Sequence, residues 1–578
     1  MTLRKIYQWG ISLSLLLLLS IGASAQTTSQ PATANKGGSI AGRVLGDDGQ
    51  PLADVTVNLI SASSNRSARR ITTTDDEGSF KIKDLPSGAY TITASVPGFV
   101  TSEDQASSFY RPGDQVTISL IKGGVLTGRS LDATGQPLVG APVSALRVRD
   151  AEGRPANDAA HPVASRMTDD RGVYRLYGLP TGFYVVYTGG AGESLSSSIG
   201  AREVPTYHPS ATRDTAHEVF VPIGAEIQSI DIRHRGEAGH AVSGRLAGVA
   251  DSGASLAPKV TVELFQANTG TLVTSTNVNT RAGNGFGLYG VPDGEYEIIA
   301  QQRGGATATP KGASGFASTL RRVIVRGSDV TGLELRLVAL GTIVGRVVLE
   351  KLEKADCRNT RRGTLEELLI FPHREDHVAR HLPTTDLPFA VTPDEKGEFV
   401  LFDLDAGRYR LTPQLPSDHW YVKAVSAPGV KTVTAGAVNN LAATGFTLKS
   451  GETLTGVTFT MAEGAAAISG HVESKLPGKQ LPARLRIHLV PAEPEASSDV
   501  LRYAETVTRD GAFSLRNLTP GKYWLLARAV PDDEPNETPV QPAAWDSNAR
   551  TALRREASAS QVIELLHCQQ AKDGKLRY

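Results

Sequence analysis

At 578 residues the chain is too long for one hydrophobic core, and at roughly 100–150 residues per domain it predicts four or five domains. Lys+Arg and Asp+Glu both total 60, so the formal net charge is zero, which argues against a nucleic-acid-binding body with its basic face. Apolar residues at 40% and aromatics at 6% suffice for packed cores and exclude a disordered chain, while 58 Gly and 32 Pro signal many turns.

The first segment reads as an export signal. Arg4 and Lys5 form a positive n-region, and the apolar run Ile11 to Ile21 is too short to span a bilayer comfortably. Ala23-Ser24-Ala25 is a small-residue cleavage site, so residues 1–25 are expected to be removed and Gln26 to begin the mature chain. An uncleaved anchor is the alternative at this point. No Cys follows the apolar run, which speaks against a lipid anchor. No later stretch approaches roughly 18 apolar residues, so no transmembrane span is expected after cleavage. Residues 26–36 read as a linker.

From there the chain aligns with itself. The spacing G-x-F-x4-L-x2-G-x-Y occurs first as Gly78, Phe80, Leu85, Gly88 and Tyr90. It recurs as Gly172, Tyr174, Leu179, Gly182 and Tyr184, then as Asn284, Phe286, Val291, Gly294 and Tyr296. The last two copies are Gly397, Phe399, Leu404, Gly407, Tyr409 and Gly511, Phe513, Leu518, Gly521, Tyr523. Asn284 replaces the first Gly, and Asn is the residue that best tolerates a left-handed backbone, so this position is expected to be a turn with positive φ. Asp75, Asp76, Asp169, Asp170, Asp394 and Asp510 precede the turn as Asx chemistry favours. Calcium is the rival for these acids, but no copy supplies a D-x-D-x-D ladder.

Strands follow in the same order in each copy. The opening strands are Ile40-Ala41-Gly42, Leu126-Thr127-Gly128, Val242-Ser243-Gly244, Ile343-Val344-Gly345 and Ile468-Ser469-Gly470. Second strands with period-two alternation are clearest at Val55 to Leu59, Val260 to Leu264 and Leu485 to Leu489. Closing strands are expected at Val116 to Leu120, Ile230 to Ile232, Leu333 to Leu337, Val457 to Met461 and Val562 to Leu565. No segment has a helical period of useful length, and Arg550 to Glu564 comes nearest. The pattern predicts an all-β protein of five tandem antiparallel Greek-key β-sandwich modules at 37–122, 123–237, 238–338, 339–464 and 465–578. Short linkers between them suggest beads in a row with limited freedom.

The L-x-x-G-x-Y element resembles the tyrosine corner of Greek-key sandwiches, so Tyr90, Tyr184, Tyr296, Tyr409 and Tyr523 are read as structural, with Gly88, Gly182, Gly294, Gly407 and Gly521 beside them. Module one, and with it module two, resembles the carboxypeptidase regulatory-like domain, a prealbumin-like (transthyretin-like) sandwich. It does so through Ile40-Ala41-Gly42-Arg43-Val44, Gly49-Gln50-Pro51-Leu52, Thr74 to Phe80 and Leu85 to Tyr90. Module two repeats these as Leu126-Thr127-Gly128-Arg129, Gly135-Gln136-Pro137-Leu138, Thr168 to Gly172 and Leu179 to Gly182, and modules three to five keep the Gly/aromatic/Tyr frame without the G-Q-P-L turn. In metallocarboxypeptidases such a domain accompanies a separate catalytic domain, and no second domain type is present, so the resemblance implies no peptidase activity. It does imply a carbohydrate-binding-like fold.

A few residues outside the scaffold frame could carry chemistry. His373, His377 and His381 would share one face of a helix and could bind zinc, but Leu368 to Pro372 aligns with second strands, and Arg374 stands where H-E-x-x-H needs Glu. A solvated loop is the expectation, with no metal, no cofactor and no catalytic set. Tyr207, Trp420, Tyr421 and Trp545 lie outside the repeated frame and are the candidate glycan platforms, with partly buried packing as the alternative. Cys357 and Cys568, the two cysteines, could pair outside the cytoplasm or stay free. Two functional classes follow: an exported, non-enzymatic structural or protein-interaction rod, or a polysaccharide binder.

Overall fold

The structure, a computed structural model, describes residues 38–63, 69–101, 108–156, 162–189, 202–248, 259–280, 283–303, 315–352, 357, 361, 363–375, 390–427, 441–475, 480–493, 499–531 and 542–578. The export signal, the 26–36 linker, His377 and His381 fall outside them.

Alternation of apolar and polar residues makes strands, and one plan recurs five times. In module one, Gly38–Leu45 pairs antiparallel with Ser79–Leu85 and parallel with Gln115–Lys122, and Phe99–Thr101 completes the sheet. The facing sheet places Thr56–Ser61 between Arg69–Thr73 and Tyr90–Ser95. Their inner faces meet in a core that includes Ile40, Val57, Leu59, Phe80, Leu85, Tyr90 and Leu120. Full burial stabilises by about 1.5–3 kcal/mol for each large apolar side chain.

The same central position is held by Gly124–Leu131, His240–Ala247, Gly341–Glu350 and Ala466–Glu473. Each opening strand runs parallel to the strand that closes its module. That parallel pairing is added to the antiparallel plan. Alternation fixes which residues face the core, not which way a distant strand runs.

Module five corrects one expectation. Val562–Leu565 pairs with Gly521–Ala529 at an edge of the second sheet, and Gln570–Arg577 closes the module against Ala466–Glu473. The closing strand carries few apolar residues, so its alternation was faint. The helix is also displaced from the pattern, at Ser547–Ala557. Asp546 caps it by accepting from the Ala549 N–H at 2.7 Å, and Leu553 and Ala557 are buried against Val490.

The first glycine of the repeat is left-handed where it occurs: φ is 67° at Gly78, 69° at Gly172, and 83° at Gly397 and Gly511. Module three departs from the expectation for Asn284. Gly283, one residue earlier, takes the positive φ of 145°, so the Asn keeps an ordinary backbone. A second left-handed position lies one residue before the repeat leucine, at Asp84, Gly178, Gly290, Asp403 and Asn517. There the pairing with the opening strand slips by a residue, a β-bulge in every module.

Candidate functional site

The bulges sit at the junctions. Between modules three and four, the Asp403 side chain accepts from the Gly315 N–H, and Arg303 donates to the Asp403 carbonyl at 2.6 Å and pairs with Asp405 at 3.2 Å. Between four and five, the Asn517 amide donates to the carbonyls of Ser417 at 2.7 Å and Trp420 at 2.8 Å. At the start of modules two and three the incoming chain lies close on the bulge: a Cβ on Gly123 would lie 2.6 Å from Gly178 Cα, and one on Gly239 would lie 2.6 Å from Gly290 Cα. Modules four and five thus receive their predecessors on their own bulges.

The modules do not continue in a line. Module one returns onto module four. The Thr392 N–H donates to Ser63 Oγ at 2.9 Å, Arg361 donates to the Pro112 carbonyl at 2.9 Å, and Arg111 donates to the Leu415 carbonyl at 3.1 Å. Ala62, Ala89 and Phe109 pack against Leu369, Phe371 and Ala390, with the Phe109 and Phe371 rings 6.0 Å apart. Glu367 is buried beside this contact and pairs with Arg361 at 2.7 Å; burial raises its pKa, against the pull of Arg361 and Arg111. Modules one to four therefore close a circuit. Short linkers announce limited freedom but not the angle between modules, which is why the sequence suggested a row.

Module five is held to module four by the Cys357–Cys568 disulfide, with Cα atoms 5.2 Å apart. Trp545 lies at the same junction, with the Arg410 guanidinium 5.1 Å from its ring and His373 5.6 Å away.

A cavity of 730 Å³ with mixed chemistry opens between modules two and three. From module two come Tyr187, Tyr207 and Arg213. From module three come the turn around Asn268 and the corner Pro292 to Tyr296. The wall is pinned by backbone bonds from Val204 N–H to the Glu237 carbonyl and from Gly239 N–H to the Arg202 carbonyl, both 2.9 Å. The Tyr207 ring lies 5.1 Å from Tyr187, and the Arg213 guanidinium 5.8 Å from Tyr207. Burial, then Tyr187, pushes the Tyr207 hydroxyl well above the usual phenol range, with Arg213 opposing. Burial and Asp293 do the same for Tyr296, whose hydroxyl donates to the Pro292 carbonyl at 2.8 Å.

The sequence-predicted residues divide by environment. The five frame tyrosines each donate to the carbonyl four residues back: Tyr90 to Pro86, Tyr184 to Pro180, Tyr296 to Pro292, Tyr409 to Asp405 and Tyr523 to Thr519. As open glycan platforms, Trp420 and Tyr421 are corrected, because both are buried in module four. Tyr207 is buried in the cleft wall, and Trp545 is covered by Arg410 and His373. His373 lies on the strand Leu369–Arg374, not in a solvated loop, with Nε2 2.5 Å from Thr412 Oγ1. Burial lowers its pKa. Arg213 was not foreseen; a lone Arg in an irregular segment carries no sequence signal. Among the described residues no three His, Cys, Asp or Glu side chains gather as a metal site, and no helix is long and apolar enough to cross a membrane.

Residues 39–120, module one, match the carboxypeptidase regulatory-like domain family. No curated protein matches the chain. Among solved structures, the minor pilin GBS52 of Streptococcus agalactiae is 14% identical, over 34% of this chain and 95% of that one, with a TM-score of 0.19. Two B repeat units of the collagen-binding protein of Staphylococcus aureus are 12% identical, over 74% of this chain and 100% of theirs, with a TM-score of 0.14. BcpA, the major pilin subunit of Bacillus cereus, is 11% identical, over 52% and 99%, with a TM-score of 0.12.

Proposed function

We propose that the chain is an exported, non-catalytic interaction protein whose five sandwich modules form a closed scaffold rather than an extended rod. The observation that carries this is the docking of module one on module four, where Thr392 and Ser63 meet across 329 residues of sequence. The residues repeated in every module are spent on folding it, and the bulge residues Asp403 and Asn517 on joining modules four and five to their predecessors. An engineered pair tests the closure. Ser63→Cys with Thr392→Cys should oxidise within one chain, because the native hydroxyls are 3.2 Å apart. Free thiols at both positions after mild oxidation would contradict it. Recovery of a mature chain beginning at Gln26 outside the cytoplasm tests export, and a chain that keeps Met1 inside the cell would contradict it.

Polysaccharide binding is a second reading, and one observation favours it. The cleft between modules two and three combines tyrosine rings with amide, hydroxyl and charged groups in a volume within the roughly 300–1,000 Å³ of small-ligand sites. Retention of the whole chain on a glycan, weakened by filling the cleft, tests it.

A further inference from the structure

We propose that the cleft between modules two and three takes an acidic saccharide and that Arg213 receives its carboxylate; this rests on the polysaccharide-binding reading. The wall carries several acids, and two of them are paired with arginines. Glu237 pairs with Arg235 at 2.5 Å and Glu295 with Arg322, and an Asp293 carboxylate oxygen lies 3.2 Å from the His240 ring Nε2. The exposed Asp214 accepts from the Thr212 hydroxyl.

Arg213 is the exception among the cations. It lies over Tyr207, has no carboxylate partner among the described residues, and its buried Nε has no hydrogen-bond partner. Beside it the Tyr207 hydroxyl, on a residue only 9% exposed, lines the cleft with no hydrogen bond of its own. A guanidinium whose Nε lacks a partner and a tyrosine hydroxyl in the same wall are matched by a carboxylate, which accepts from both. Leaving them unmatched costs stability, so a ligand that pairs them gains affinity.

The rest of the lining suits hydroxyls. Asn268 offers both a donor and an acceptor, and the carboxylates of the rim accept from sugar hydroxyls without needing a cationic ligand. A peptide strand would need a run of open backbone. The Tyr207 backbone is already paired with Ala211 in both directions, and only Leu272 and Val273 of the neighbouring edge strand reach the cleft.

The test is calorimetric titration of the whole mature chain with trigalacturonate, its neutral trimethyl ester and triglutamate. The acid should bind, the ester should bind at least about tenfold more weakly, and triglutamate should show no binding, since a charge-assisted pair is worth about a factor of ten or more. Arg213→Gln should reduce the affinity for the acid by a similar factor and leave the ester unchanged, and Tyr207→Phe should weaken the acid severalfold. Equal binding of acid and ester would overturn the role of Arg213 while leaving saccharide binding intact. Tighter binding of triglutamate would assign the site to peptides. No binding of either sugar would overturn both readings. The acid–ester comparison on the unaltered chain stands even where a variant disturbs module two.

Discussion

Gly42→Ala probes the sandwich at its narrowest point. A Cβ built on Gly42 lies 2.1 Å from the Val116 carbonyl oxygen and 2.9 Å from Phe80 Cζ. The first atom is backbone on the parallel closing strand, and the second belongs to the repeat aromatic, buried in the core. Neither can step aside without moving a strand. The other modules place the same glycine against the same strand: Gly128 meets the Ile230 oxygen at 2.1 Å, Gly244 the Leu333 oxygen at 2.0 Å, and Gly470 the Gly574 oxygen at 1.9 Å. Within a strand alanine is normally about 0.5–1 kcal/mol better than glycine, so the clash must overcome that gain. Overpacking of this kind costs about 1–3 kcal/mol, and one methyl against a carbonyl belongs at the upper end. Hydrogen exchange followed by mass spectrometry on the whole chain reads module one separately from the rest. Amides of Gly38–Leu45 and Gln115–Lys122 should lose protection by about 30- to 150-fold, which corresponds to about 2–3 kcal/mol. Unchanged protection in both strands would refute the close-approach argument.

Three further outcomes follow from the geometry. Tyr90→Phe leaves the Pro86 carbonyl without its 2.8 Å donor and should cost module one about 1–2 kcal/mol in denaturant unfolding; an unchanged midpoint would show that water replaces the hydroxyl. His373 has its pKa lowered from 6.5 by burial, so the unfolded chain takes up the proton first: this contribution is full above about pH 6.5 and lost as pH falls below it. The unfolding midpoint of the native chain should therefore drop more steeply between pH 7 and 5 than that of His373→Phe, and parallel profiles would contradict the assignment. Finally, thiol titration of the unfolded, unreduced chain should find no free thiol. Reduction should lower stability by up to about 5 kcal/mol for a loop of 211 residues, and two reactive thiols per chain would remove the bridge.

Much of the fold was legible because the repeat carries its own mechanics. Phe80, Leu85 and Tyr90 recur at fixed spacing because all three enter one core, and Gly42 recurs because a carbonyl occupies the place of its Cβ. The bulge was legible only in retrospect. Asp84, Gly178, Gly290, Asp403 and Asn517 are three residue types that share tolerance of positive φ, a pattern that composition alone does not announce. Asn284 misled because the neighbouring Gly283 could absorb the strain instead. The exposed-aromatic argument failed at Trp420 and Tyr421 because a ring outside the repeat can still be buried in its module. The cleft and the contact of module one with module four depend on angles between modules. Those angles are set by side chains such as Arg303 and Asn517, whose partners lie about a hundred residues away.

Small-angle scattering of the mature chain in dilute solution tests the closed scaffold most directly. With a radius of gyration of about 13 Å per module, four modules in a circuit with a fifth attached give about 30 Å, whereas five in a row give about 45 Å. A value near 30 Å, rising when Phe109→Ala and Arg111→Ala are combined to loosen module one from module four, is the predicted result. A value near 45 Å for the unaltered chain would contradict the closure.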